Sequence, residues 1–262
     1  MSQAPVLVKF GGELVETPER LAAVGDALAG LAAAGPLVVV HGGGREIDAE
    51  LTRRGVQKQA VDGLRITDAA TLAAVVATLG GTINTRLVAH LVGRGLRAVG
   101  LTGVDAALAR ATRAAAHVTA AGAHVDLGLV GEPQADADVG VVGHLLAGGY
   151  VPVIASLGIS ADGDVLNVNA DTLAAHVAAA VGARQLLLAG GTAGVLDGAG
   201  KTIAELTPAQ ADALMQDGTA SAGMIAKLRA ATGARTRGVP DVWIVDGRSV
   251  AALTGRVGTR IA

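Results

Sequence analysis

Cysteine is absent from the 262-residue chain, which excludes disulfides, thiolate zinc sites and cysteine nucleophiles and permits a reducing compartment. Aromatic residues are nearly absent as well, at one Trp, one Tyr and one Phe. That scarcity disfavours base-stacking nucleic-acid platforms and aromatic sugar clefts, both of which depend on exposed rings. An excess of charge of one sign is missing too: 21 basic residues stand against 23 acidic ones, for a formal net charge of -2. No long-range field therefore draws the chain to nucleic acid or to an anionic membrane surface. Any anionic ligand must be held locally. The charge-free run between Asp68 and Arg86 is 17 residues long and contains Gly80, Gly81 and Asn84, so no membrane helix is expected from it. Met1 to Pro5 lack the basic start, apolar stretch and cleavage site of a leader, and a cytoplasmic location is expected.

What remains is 51% hydrophobic and 17% charged, enough apolar material for a large core and incompatible with disorder as the main state. Val6 to Phe10 reads as a strand ending in Gly11-Gly12, and Thr17-Pro18 opens a helix with Thr as its cap and Pro at its first position. The pattern repeats with the strand Leu37 to Val40, the turn His41-Gly42-Gly43-Gly44 and a helix from Arg45 to Arg54. Further strand candidates are Ala98 to Leu101, Val151 to Ala155, Leu186 to Ala189 and Val242 to Val245. Continuous apolar strands set between helices predict an α/β fold with a mostly parallel central sheet covered on both faces. Ala161-Asp162-Gly163-Asp164, between Ile159 and Val165, predicts a β-hairpin decorating that core. Residues 190 to 201 read as a second, irregular excursion.

Two glycine turns, Lys9-Phe10-Gly11-Gly12 and His41-Gly42-Gly43-Gly44, stand at carboxyl ends of strands just before helices. Ligands bind there in open α/β sheets. Glycine lets backbone N–H groups approach an oxyanion, and a helix N-terminus adds about half a positive charge. A single such loop is as well explained by a tight turn; two together, one with a lysine, predict phosphate or carboxylate binding. Gly198-Ala199-Gly200-Lys201-Thr202 imitates the end of a Walker A loop, but the glycine spacing fails and Lys201 is expected in solvent. Neither glycine turn fits a dinucleotide-binding fingerprint. Arg65, between Gly63 and a capping Thr67, can grip a carboxylate through paired hydrogen bonds or simply face water. Asn167-Val168-Asn169-Ala170-Asp171 sets three polar side chains where the hairpin closes and a helix begins, and capping accounts for Asn169 or Asp171 alone. Lys227 lies one turn into a helix that starts near Gly223, after Thr219-Ala220-Ser221-Ala222. The six histidines lack ligand spacing, and His41 is expected to support its loop through hydrogen bonds.

Taken in order, these five motifs resemble the amino-acid kinase family, along nearly the whole chain. The resemblance implies an αβα sandwich with a lobe over residues 1–182 for an acylated amino acid and for dimerisation, and a lobe over residues 183–262 for nucleotide. It implies transfer of the γ-phosphoryl of ATP, with Mg²⁺, to the side-chain carboxylate of N-acetyl-L-glutamate, a step of arginine biosynthesis. Such a carboxylate, with a pKa near ~4.3, is ionised at neutral pH and needs no general base. Carried over by position, Lys9 contacts the transferring phosphoryl and Lys227 the leaving oxygens, while Asp171 holds both lysines. Gly12 and Gly44 donate N–H bonds to the moving group, Gly11 belongs to the nucleotide-phosphate loop, and Gly43, Gly44, Arg65 and Asn167 bind the acylated amino acid. Asn169 follows the family pattern without a separate role. Two stretches depart from the pattern: Ala189 to Ala193 lacks the usual polar pair of the nucleotide site, and Val104-Asp105-Ala106-Ala107 replaces a more glycine-rich loop, so altered geometry is expected there. N-acetyl-aminoadipate as substrate and a non-catalytic sensor of the same fold are the alternatives. With eight residues before Lys9, the resemblance further implies a homodimer not strongly inhibited by arginine, with Leu72, Val75, Val76 and Leu79 as candidates for its surface or for ordinary core packing.

Overall fold

The computed structural model describes residues 3–119, 122–135, 137–216, 220, 222–255 and 257–262. In chain order its first strands are β1 (Val6–Phe10), β2 (Leu37–His41), β3 (Ala60–Val61), β4 (Leu64–Arg65), β5 (Ala98–Thr102), β6 (Ala111–Arg113), β7 (His117–Val118) and β8 (His124–Val125). They continue with β9 (Val130–Pro133), β10 (Val151–Ala155), β11 (Leu157–Ile159), β12 (Val165–Val168), β13 (Gln185–Gly190), β14 (Glu205–Leu206), β15 (Val242–Asp246) and β16 (Gly258–Ile261). The helices are α1 (Pro18–Ala33), α2 (Gly44–Arg53), α3 (Ala69–Val76), α4 (Asn84–Val92), α5 (Gly140–Ala147), α6 (Ala170–Ala180), α7 (Pro208–Gln216), α8 (Ala222–Thr236) and α9 (Val250–Gly255).

An eight-stranded sheet in the order β14-β16-β15-β13-β1-β2-β10-β5 forms the middle layer, parallel throughout except where β16 runs against β15. Alternate side chains of each strand enter opposite layers. Val38 and Val40 join Leu173, Val177 and Ala231 of α6 and α8 on one face, whereas Leu37 and Val39 join Leu28, Leu51 and Leu87 of α1, α2 and α4 on the other. The αβα sandwich and its doubly covered sheet are as the sequence leads one to expect. Register fixes the site: Phe10 pairs with His41 on one side and Ala189 on the other, and His41 pairs with Ala155. The carboxyl ends of β1, β2, β10 and β13 therefore finish abreast.

A smaller sheet, β11-β12-β9-β6, caps that edge, with the expected hairpin closing at Ile159 and Val165. The Thr17 cap is present, its hydroxyl accepting from the Arg20 amide, with Pro18 opening α1. At the start of α3 the expectation fails: Asp68, not Thr67, is the cap, its carboxylate accepting the Thr71 N–H at 2.7 Å. Thr67 is buried one residue earlier, where its backbone pairs with the Gly128 segment.

The helical run Ala69–Val92 is continuous, α3 passing through a wider π turn at Ala77–Ile83 into α4. The run extends through Arg86, beyond the charge-free stretch, and at 24 residues and a mean hydropathy of 1.4 it is long and apolar enough to cross a membrane by those measures alone. Its Val75, Leu79, Ile83, Leu87 and Leu91 are buried against the sheet, which is the behaviour of a core helix. That burial removes Val75 and Leu79 from a dimer surface, while Val76 remains exposed. The loop after β5 does have unusual geometry, with Ala106 and Ala107 both left-handed at φ 53° and 54°.

Candidate active site

Gly12 and Gly43 bring the two glycine turns against each other: a Cβ on Gly12 would stand 2.9 Å from the Gly43 Cα and against the Glu46 carboxylate. A Cβ on Gly43 would strike Ile83 and Leu79. Gly43 is also the cap of α2 and offers no side-chain cap to the first-turn N–H groups, the arrangement that suits an anion. Gly44 is open on its Cβ side, and Gly11 caps a short helical turn, Gly12–Leu14, in the same uncapped way. A third helix N-terminus, that of α6, begins beside Gly42, and its cap Asn169 accepts the N–H groups of Asp171 at 2.9 Å and Thr172 at 3.0 Å.

These turns wall a cleft of about 310 Å³ that also takes in Lys9, Arg65, Asn167, Asp171 and Lys227. Asp171 joins two lysines. Its Oδ1 is 2.9 Å from Lys9 Nζ and its Oδ2 is 3.6 Å from Lys227 Nζ. Lys9 and Asp171 are each only 5% exposed. Burial pushes the Asp171 carboxyl up, but Lys9 and Lys227 outweigh it and hold the group below its ordinary value. Lys227 is depressed by the neighbouring Lys9 charge and then by burial, against the opposing pull of Asp171 and Glu13. Its stem lies over Gly190 at the end of β13, so strand and helix α8 meet through it.

Arg65, on β4, is anchored to α2: Nη2 donates to Asp48 Oδ1 and, at 3.2 Å, to the Gly44 carbonyl. Its Nη1 is buried with no partner. Lys58 Nζ holds the other Asp48 oxygen at 2.8 Å. Asn167 donates from Nδ2 to Thr67 Oγ1 at 3.1 Å. His41 is fully buried and outside the cleft lining, with Nδ1 toward the Gly42 carbonyl and Nε2 toward Asn84 Nδ2 at 3.1 Å.

Lys9, Gly11, Gly12, Gly42, Gly43 and Gly44 of the two turns, together with Arg65, Asn167, Asn169, Asp171 and Lys227, thus border one cleft, while His41 lies behind it and Phe10 is buried in the core. Asp48, Glu13 and Ser156 were missed. Asp48 lies one turn along α2 from Gly44, a spacing that could have flagged it; Ser156 carried no sequence signal. Lys201 is exposed, and the amides of Ala199 and Lys201 bind Asp197 Oδ1, so the Walker-like run folds on its own aspartate. In the departing stretch after β13, Thr192 Oγ1 donates to the Gly194 carbonyl, and Thr259 Oγ1 accepts the Val195 amide at 2.8 Å. Thr219 and Ser221, beside α8, lie outside the described residues, as do Met1 and Ser2.

The model of the amino acid kinase family matches residues 4–246. The chain belongs to the amino acid kinase family. An acetylglutamate kinase of Acidiphilium cryptum (strain JF-5) is 44% identical over 251 residues, covering 94% of this chain and 83% of its own. One from Rhizorhabdus wittichii is 41% identical over 262 residues, covering 97% of this chain and 86% of its own. Among solved structures, smu.665 of Streptococcus mutans UA159 superposes with a TM-score of 0.83 at 27% identity, covering 98% of both chains.

Among the described residues no three His, Asp or Glu side chains converge as a metal cage. The cleft holds two carboxylates, Asp171 and Glu13, of which Asp171 is engaged by Lys9 and Lys227. That suits Mg²⁺, which keeps several waters and is held through one or two carboxylates plus substrate phosphates.

Proposed function

We propose that this chain transfers the γ-phosphoryl group of ATP to the side-chain carboxylate of N-acetyl-L-glutamate, giving an acyl phosphate and ADP, as a step of arginine biosynthesis. The observation that carries the reading is the buried Lys9–Asp171–Lys227 bridge at the mouth of two glycine turns. A carboxylate oxygen attacks the γ-phosphorus while the bond to the β–γ bridging oxygen breaks, so no proton moves and no base is required. Catalysis then consists of alignment and charge neutralisation. Lys9 and the N–H groups of Gly12 and Gly44 face the transferring group; Lys227 takes the charge that grows on the leaving oxygens. Asp171 fixes both ammonium groups, so neither must reorganise as charge moves. Mg²⁺, bound with the nucleotide, supplies further neutralisation of the phosphates.

Arg65 Nη1, buried and unpaired, suits a carboxylate of the acylated amino acid, with Asn167 and Gly43 beside it. On this reading residues 1–182 serve the amino acid and residues 183–262, with Lys227, serve the nucleotide, and Gly11 belongs to the phosphate loop. A homodimer is supported by the half-buried edge strand β5, the exposed Val92 on α4 packed beside it, and the exposed Val76 farther along the same helical run. Use of ATP fits a cytoplasmic location. The deciding experiment traps acyl phosphate with hydroxylamine, with acetylglutamate, acetylaminoadipate, glutamate and aspartate as acceptors. Strong turnover with acetylglutamate is expected; turnover with acetylaminoadipate alone, or with none, overturns the reading.

A further inference from the structure

Glu13 follows Gly12 directly, and its carboxylate lies over Gly11, where a Cβ on that glycine would collide with it. It is half-buried in the cleft lining. Among the described residues this carboxylate accepts no hydrogen bond and enters no ion pair; its electrostatic neighbour is Lys227. The other carboxylate of the cleft, Asp171, is committed to two lysines.

Charge counting adds a second observation. The cleft lining carries Lys9, Arg65 and Lys227 against Asp171 and Glu13, while Asp48, which anchors Arg65 from outside the lining, is shared with Lys58. Three cationic side chains set against two carboxylates cannot by themselves offset a polyphosphate with several negative charges, and in a partly dry site that imbalance is costly. An uncommitted carboxylate at the phosphate loop worsens the repulsion unless a cation stands between it and the phosphates. We propose that Glu13 is a protein ligand of the divalent cation that enters with the nucleotide, its carboxylate and the phosphate oxygens sharing the ion. The inference rests on the nucleotide reading above and adds a residue to it. Glu13 thereby makes nucleotide binding conditional on the metal: the free nucleotide meets a like charge, the metal-bound nucleotide meets a ligand.

The test compares the full chain with Glu13→Gln and Glu13→Asp. Mn²⁺ replaces Mg²⁺, with electron paramagnetic resonance reading bound metal and calorimetry reading AMP-PNP. Glu13→Gln should weaken Mn²⁺ binding to the AMP-PNP complex by about tenfold or more, while metal-free AMP-PNP binds as well as or better than before. Glu13→Asp, which keeps the charge on a shorter arm, should retain part of the metal affinity and shows that a loss is not simple misfolding. If Glu13→Gln takes Mn²⁺ with AMP-PNP as tightly as the parent, the proposal is wrong and the nucleotide reading survives. If the parent takes no AMP-PNP with or without Mn²⁺, both fall.

Discussion

Gly12 and Gly43 are backbone neighbours across two different strand-to-helix turns, with no room for a methyl group on Gly12 between them. Glycine is needed here because main chain meets main chain. Gly12→Ala should cost about 1–3 kcal/mol, since backbone on both sides resists the shift. Gly44→Ala should leave the melting temperature at or above the parent value, because its Cβ enters open space at the first turn of a helix. Thermal unfolding of the two variants side by side checks this, and equal destabilisation would contradict it.

Lys9→Met and Lys227→Met should each lower kcat by about 10²–10³ with the fold retained, the magnitude seen when one preorganised charge-stabilising donor is lost. Lys227 also sets an alkaline limit. Its pKa lies below the ordinary lysine value, so its charge, and kcat with it, is lost as pH rises through that depressed value. Lys227→Arg keeps its charge and should move the limb to higher pH. An unchanged limb would assign it to another group.

Arg65 and Asp48 form a unit in which the carboxylate holds the guanidinium by Nη2 at the cleft wall and Nη1 is left without a partner. Arg65→Ala should raise KM for the acylated amino acid and leave KM for ATP nearly unchanged, the pattern of lost uniform binding. Asp48→Asn should raise the same constant by less, since the guanidinium remains but loses its anchor. A change confined to ATP would reverse the assignment of the two lobes.

His41 gives stability an acid limb. Burial lowers its pKa to about 4, against about 6.5 in the unfolded chain. Between those values the unfolded state binds a proton that the folded state excludes, so stability is full above pH 6.5 and falls as pH drops toward 4. The loss attributable to this group amounts to up to about 3 kcal/mol. Carboxylates with lowered pKa, Asp171 among them, add to the same acid loss. The contribution of His41 is therefore the difference in slope between parent and His41→Gln in denaturant titrations from pH 7 to 4.5. Identical slopes would remove it.

The turns at Gly11-Gly12 and Gly42-Gly43-Gly44 were legible because a glycine run between an apolar strand and a helix has few physical explanations. Lys9 and Arg65 could be named from their neighbours. Their partners could not: Asp48 reaches Arg65 across 17 residues and Asn84 reaches His41 across 43, contacts made by chain crossings that no local pattern encodes. Thr67 and Asp68 are both good caps by residue type, and the tertiary pairing of Thr67 with Gly128 decides for Asp68. Val75 and Leu79 illustrate the same limit, since an aliphatic helix face does not announce whether sheet or partner will cover it.

Ala106 and Ala107 hold the left-handed conformation in succession, a choice that alanine's own preference for right-handed helix opposes. Their neighbours impose it. The Asp105 carboxylate accepts from the Thr102 amide at 2.6 Å and hydroxyl at 2.9 Å, and the Ala109 amide donates to the Gly103 carbonyl at 2.7 Å. Gly103 cannot move away, since a Cβ there would strike the Leu157 carbonyl, and Leu108 and Ala109 are pinned in the core on the far side. With both ends fixed, the strain of the middle has nowhere to relax. Replacing either alanine by glycine removes a cost of about 1–2 kcal/mol and adds back about 0.5–1 kcal/mol of chain entropy. Ala106→Gly and Ala107→Gly should thus each stabilise by about 0.5–1 kcal/mol, measured by urea denaturation. Ala109→Gly, at a buried position without positive φ, should destabilise. If all three glycine variants lose stability alike, the left-handed pair carries no strain.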